Sequence, residues 1–465
     1  MKSLFKSYHI VTITFLAITC FAYAKDFHVS TTGNDDNNGK LKAPWETIQH
    51  GVENISPGDT LLIHEGTYSE SIYLENSGSK KNGYITIRNY KNERVILDGK
   101  SIDCSKEDFN TLIYASSIEY VRIQGLTLCN LQTDIKNTVI CGIMIEGDST
   151  YIELKDLEVF DIKHLGTSKH GTDAHAIAFY GDGTGKGMSN ISIENCSIHD
   201  CVLGSSEALV LNGNVQDFSV KNNKVYNCNN IGIDLIGGEG VWEGDSSLDS
   251  ARNGVVSGNT VYQICAYENP AYGHQYAAGG IYVDGGKDIL IEGNVIHHCD
   301  IGIEIGCENK GRTTEKINII NNLLYQNYMT GIAFGGYNKN LGTVKNCLFK
   351  GNSLFYNNSK YKDPEYQGMG EVLITKSSNN QFTENKLVCF PDNSVMINNE
   401  FPISHSYKNT FSKNQYYTSE GVDSLFFLWN KEEYHGLQAF IKGTGQDRDS
   451  IFLKNLKKEA SQYLN

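Results

Sequence analysis

Proline is scarce in this chain, 6 residues in 465, and no long apolar run follows the first two dozen residues. The second absence leaves no candidate for a membrane-spanning helix in the body of the chain. Basic residues are in the minority, 40 Lys and Arg against 54 Asp and Glu, for a net charge of −14. That balance argues against nucleic acid and against an anionic membrane surface as partners. The 12 cysteines include no CxxC pair, so a zinc site is not indicated. A phosphate loop, a nucleophile elbow and a dinucleotide fingerprint are all missing. No linker rich in Pro, Ser or charge divides the chain. The length would suit one large domain or two ordinary ones, and it is therefore read as one elongated unit.

What is abundant is Asn and Gly, which suits many tight turns between short strands. The N-terminus has the form of a secretory leader over residues 1–24: Lys2 and Lys6, an apolar stretch from Ile10 to Phe21, then Ala22-Tyr23-Ala24. Thr19 before Cys20 is a poor lipoprotein signal. Export to the periplasm or beyond is expected. Loss of Cys20 would leave an odd number of cysteines, spread singly along the chain.

A short pattern recurs from residue 120 onward: "CSIHDC" from Cys196, "NKVYNC" from Asn223, "NTVYQI" from Asn259, "NVIHHC" from Asn294, "NLLYQN" from Asn322 and "NSLFYN" from Asn352. The starts lie 27, 36, 35, 28 and 30 residues apart, a period that means stacked structural units. Between them, runs such as "NISI", "DFSV" and "DILIEG" alternate apolar and polar as strands do. The expected fold is all-β, a parallel β-helix (a solenoid) of roughly ten coils. A recurring Asn can bond to its equivalent one coil away and satisfy turn backbone that no strand covers. Cysteines at equivalent places, such as Cys201, Cys228 and Cys299, then read as small buried hydrophobes rather than bridges.

The ends break the pattern. Residues 25–100 read as an N-terminal cap with the first coils, including a short helix at Trp45 to Val52. Residues 101–400 read as the helix proper. Residues 401–465 read as a closing cap with helical spacing around Leu437 to Ile441.

The front segment "GNDDNNG…APWETIQ…PGDTLLIHEGTY" and the tail "WNKEEYHGLQAF…GTGQDRDSIF" resemble secreted right-handed parallel β-helix proteins of the pectin-lyase-like superfamily. The resemblance covers nearly the whole mature chain and implies a carbohydrate-active protein. It leaves the reaction open, because that superfamily contains lyases, hydrolases, epimerases, transferases and adhesins. The clustered Asp-Asp calcium motif of calcium-dependent pectate lyases is not found.

Six short strands align: "AIAFYG" from Ala176, "ALVLNG" from Ala208, "GIDLIG" from Gly232, "GIYVDG" from Gly280, "GIEIGC" from Gly302 and "GIAFGG" from Gly331. Their two apolar columns must face the bore, since side chains alternate along a strand. Asp234, Asp284 and Glu304 then fall on one outer face beside Tyr282. From strand geometry, Asp284 and Glu304 lie about 8 Å apart at the backbone and Asp234 and Glu304 about 10 Å. A carboxylate pair with room for a water is the geometry of an inverting glycosidase, and crowded acids raise one another's pKa. A single outward acid would serve solubility; three on one face point to chemistry. Gly232, Gly280 and Gly302 are expected to clear a floor for a ligand.

Loops longer than their neighbours adjoin these strands and carry Trp242, Tyr267, Tyr272, His274 and Tyr276, whose aromatic faces could stack on sugar rings. Glu207, Glu308 and Lys310 are expected at the rim as substrate contacts, with Arg312 close by. "KHGTDAH" invites a metal reading through His170, Asp173 and His175, but its spacing fits no strong motif, and no metal site is assigned.

The expected activity is hydrolysis of a polysaccharide by Asp284 and Glu304, tuned by Asp234, with no cofactor. One alternative is a polysaccharide lyase, in which the carboxylates would hold calcium against a uronic acid and Lys287 or Lys310 would take the proton. The other is a non-catalytic glycan-binding surface protein. A monomer is expected, with polysaccharide or oligosaccharide as its partner.

Overall fold

The computed structural model describes residues 24–399, 401–402, 404–455 and 462–463. The leader reading of residues 1–24 lies outside them but for its last residue.

Three long sheets, of 16, 13 and 13 strands, run the length of the molecule. Each strand pairs in parallel with its equivalent one coil away; the antiparallel exception among the named strands is the hairpin Phe426–Trp429 with Glu432–His435. The chain is a right-handed parallel β-helix. One sheet counts thirteen coils, from Gly66–Tyr68 to Ile451–Phe452, rather than about ten. The extra coils are at the ends, through Gly66–Tyr68 and Val95–Asp98 at the front and Gln415–Tyr417 and Ile451–Phe452 at the back. Residues beyond 400 therefore still form coils, through Gln415–Tyr417, Phe426–Trp429 and Ile451–Phe452.

The local reason for each coil is visible at its turns. A residue with positive φ precedes each ladder asparagine: Asn222 (56°), Gly258 (66°), Gly293 (63°), Asn321 (56°) and Gly351 (68°), then Glu384 (59°) and Lys413 (55°) at the last two. Glycine and asparagine tolerate that left-handed conformation, which explains the repeated "NN" and "GN" dipeptides. The next residue turns inward. Asn259 Oδ1 accepts from the backbone N–H of Asn223 at 2.9 Å and from its amide at 3.1 Å. The same pair of bonds repeats through Asn294, Asn322, Asn352, Asn385 and Asn414. These asparagines are buried, so each bond satisfies turn backbone that water cannot reach.

The bore is apolar. Ile177, Leu209, Ile233, Ile281, Ile303 and Ile332 lie in one register column and all belong to the main core. All eleven described cysteines are free, and ten are buried, as expected for thiols used as small hydrophobes. The ends are covered. A helix at Ile48–Asn54, capped by Thr47 Oγ1 accepting from His50 N–H, closes the front. At the back, the helix Leu437–Thr444 lays Phe440 on Phe427, with ring centroids 4.4 Å apart.

Candidate active site

One face of one sheet carries the acids. Val210, Asp234, Tyr282, Glu304 and Ala333 are register partners across five successive coils. Two residues along, Ile236 pairs with Asp284, and Asp284 with Gly306. Asp284 and Glu304 are thus diagonal neighbours on adjacent coils, about 8 Å apart at the backbone.

The glycines work differently from the expectation. A Cβ on Gly232 would lie 3.0 Å from Val261 Cγ1, and one on Gly280 would lie 2.7 Å from Ile296 Cγ2. Gly302 likewise points at Leu324. These three residues sit at a corner, where two consecutive positions face the bore and alternation lapses. They are packing glycines, not a ligand floor. The glycine that keeps the outer face clear is Gly279, where a Cβ would meet Tyr282 Cβ at 3.3 Å and Glu304 Cβ at 3.7 Å. Gly306 lies beneath the Tyr282 ring and leaves room for it, so the phenol reaches Glu308 Oε1 at 3.1 Å.

The acids face outward from the bore, yet loops enclose them. Asp234 is 2% exposed and Asp284 5%, while Glu304 is partly buried. Burial, with Glu308 and Asp284 beside it, pushes Glu304 up to about 8. Asp284 rises by burial to about 7, held back by the Glu308 backbone N–H that donates to its Oδ1 at 2.8 Å. Asp234 is driven well above the carboxylate range by burial and then by Glu207 and Asp284, and its Oδ1 has no hydrogen-bond partner. Glu207 is raised in the same way, by burial and by Glu239. Its carboxylate lies 3.5 Å from His175 Nδ1, and burial lowers that imidazole to about 4, so it is neutral.

The other expected contacts divide. Glu207, Tyr282 and Glu308 join the acids. Lys310 is exposed on the loop beyond them. Trp242 is buried (7% exposed) and its backbone is tied to Asp249, so its ring anchors its own loop instead of offering a face to a ligand. His274 is exposed and its ring rests on Tyr267, with centroids 5.6 Å apart, in a cluster with Tyr276. Tyr272 from the same loop takes the place over the acids: burial, with Glu207, Glu308 and Asp234 nearby, raises it to about 12. Three further residues complete the site. Asn212 donates to Glu239 Oε2 at 2.8 Å, and Tyr180 is raised by burial and then by Glu207 and Glu239. Tyr180 and Asn212 stand in the Asp284 column, and being neutral they carry no signal of chemistry in the sequence. Glu239 sits in a loop whose path the sequence does not reveal.

Among the described residues, no three His, Cys, Asp or Glu side chains converge closely enough to hold a metal.

Sequence and structure comparisons bear on this geometry. The family described as "Pel9A-like, right handed beta helix region" matches residues 27–269, a span that includes Asp234 but ends before Asp284 and Glu304. The uncharacterized protein YwoF of Bacillus subtilis (strain 168) is 38% identical over 438 residues, covering 94% of this chain and 89% of that protein. The pectate lyase PEL9 of Emericella nidulans is 24% identical over 209 residues, 43% of this chain and 48% of that one. Among solved structures, a GH136 lacto-N-biosidase from Eubacterium ramulus superposes with a TM-score of 0.55 at 15% identity, covering 93% of this chain and 67% of the other. That likeness concerns the fold.

Proposed function

The chain belongs to the Pel9A-like right-handed β-helix family, and from that premise we propose that it is an exported enzyme that hydrolyses glycosidic bonds of a polysaccharide or oligosaccharide. The observation that carries this reading is the Asp284–Glu304 diagonal: two carboxyl groups on adjacent coils, raised by burial to about 7 and about 8. Groups poised near neutral pH are what general acid–base catalysis requires. The Glu308 N–H favours the ionised form of Asp284, which makes Asp284 the base and Glu304 the acid.

Asp284 takes a proton from water as the water oxygen bonds to the anomeric carbon. Glu304 gives its proton to the glycosidic oxygen as that bond breaks. In this reading the water sits between the two carboxyl groups and the outcome is inversion. Neutral Asp234 beside them positions the sugar by hydrogen bonds. The leader-like N-terminus supports export. Product mass tests the reading on purified protein offered plant, algal and host glycans. Fragments that gain the mass of water, with inverted anomeric signals by NMR, support it. Unsaturated, ultraviolet-absorbing products would instead make the protein a lyase.

A further inference from the structure

We infer that the chain carries a second glycan-binding site, away from the acids on the 16-strand sheet, where the Tyr151 ring receives a pyranose ring. The inference stands apart from the hydrolase reading, because its ligand is argued from the side chains of that sheet alone.

Tyr84, Tyr120 and Tyr151 stand in one register column at the start of three successive strands, and Asn190 and Asp217 follow them. Tyr120 and Tyr151 stack, with centroids 4.3 Å apart and planes 7° from parallel. Tyr84 meets Tyr120 edge to face at 5.5 Å. At Asn190 the column shrinks and the stack stops. Tyr151 is 37% exposed, and a hollow of about 310 Å³ opens beside it. That volume lies within the range of small-ligand sites, about 300–1,000 Å³. Coils repeat every ~4.8 Å, so a flat ring laid on the free face of Tyr151 would continue the stack over Asn190.

The polar side chains around the hollow suit a sugar. Glu153, Asn190, Ser192 and Asp217 line it. Burial would raise Glu153, but Arg122 at 2.6 Å and Lys155 at 3.2 Å hold it below the usual carboxylate range. The carboxylates accept hydrogen bonds, while the amide and the hydroxyl both donate and accept, as sugar hydroxyls do. The C–H face of a pyranose is positively polarised and packs on the negative face of an aromatic ring.

The backbone gives a second, independent observation. Tyr120 and Tyr151 hold φ at 53° and 56°, a left-handed conformation that bulky side chains rarely adopt. The next four coils fill the same turn with Asn190 (57°), Asp217 (54°), Asn253 (54°) and Asp288 (51°), which tolerate it. Strain of this kind clusters where a ligand is held.

The test is affinity electrophoresis of the full protein through gels of xylan, galactan, mannan, mixed-linked β-glucan, polygalacturonate or alginate. Wild type should be retarded by at least one. Tyr151→Asn should fold, because asparagine holds this turn in the next coil, and should bind about tenfold more weakly. Tyr151→Phe keeps the ring face and should retain the retardation. Asp217→Ala, at an exposed position, should weaken binding about threefold and serves if Tyr151→Asn does not fold. Undiminished retardation in Tyr151→Asn and Asp217→Ala places the binding elsewhere and overturns the inference, as does no retardation on any glycan. A loss in Tyr151→Phe as large as in Tyr151→Asn overturns the stacking basis. Cleavage is read separately by product mass. Tyr151-dependent binding without cleavage leaves this inference standing and overturns the hydrolase reading; cleavage without Tyr151-dependent binding does the reverse.

Discussion

The backbone N–H of Glu308 donates to Asp284 Oδ1 at 2.8 Å, while the Glu308 carboxylate accepts from the Tyr282 hydroxyl at 3.1 Å. One residue thus fixes the orientation of the proposed base and of the aromatic ring beside it. The hydrogen bond also favours the ionised form of Asp284, which stands at about 7 against about 8 for Glu304.

That ordering makes a pH profile. Turnover needs Asp284 ionised and Glu304 protonated, so kcat/KM should form a narrow bell with limbs near 7 and 8. The limbs belong to the coupled set of acids rather than to either residue alone. A profile flat from about pH 5 to 9 would sink the assignment of an acid–base pair.

Asp284→Asn and Glu304→Gln keep shape and remove the titrating proton. Each should lower kcat by about 10²–10⁴ while far-ultraviolet dichroism and the unfolding midpoint stay near wild type. In the Asp284→Asn variant the new amide oxygen can still accept from the Glu308 N–H, so loss of turnover would report chemistry and not collapse. Undiminished turnover in both variants would place the chemistry elsewhere.

The two outer columns are legible because period-two alternation holds within each strand and the repeating asparagines set the register. Asp234, Tyr282 and Glu304 accordingly share a column, and Asp284 is offset by two. Alternation lapses at the corner, where Gly232 and Ile233 both face the bore, and that is why the glycines pack inward where a ligand floor was expected. Loop residues are the least legible. Trp242 and Tyr272 are both aromatic and both close in sequence to acidic strands, yet one anchors its loop and the other covers the acids. The paths of such loops depend on tertiary contacts, which local pattern does not carry.

A second asparagine ladder ends on a buried acid. Asn327 donates to Asn357 Oδ1, and Asn357 donates to both oxygens of Glu371, from its backbone at 3.0 Å and from its amide at 2.7 Å. Burial raises Glu371 to about 8, from 4.5 for a free glutamate. Its contribution to stability is therefore complete below pH 4.5 and is lost as pH rises through about 8. Urea unfolding between about pH 5 and 8 should show stability falling by up to about 1.4 kcal/mol per pH unit for this one group. Glu371→Gln removes the titration and should flatten that slope by about one proton. An unchanged slope would mean that Glu371 is ionised in the folded state.

Two adjacent glycines separate packing from function. At Gly280 a methyl would lie 2.7 Å from Ile296 Cγ2 and 2.9 Å from the backbone oxygen of Gly302, so Gly280→Ala must displace the next coil. Overpacking of this kind costs about 1–3 kcal/mol and should lower the unfolding midpoint. At Gly279 a methyl meets only Tyr282 Cβ at 3.3 Å and Glu304 Cβ at 3.7 Å among side chains. Gly279→Ala should therefore unfold close to wild type, yet reduce kcat/KM by roughly tenfold or more, because it occupies the space beside the proposed acid. Calorimetry and kinetics on the two variants give opposite patterns if the substrate lies over Gly279. Full activity in a well-folded Gly279→Ala protein would mean that no substrate passes over that position.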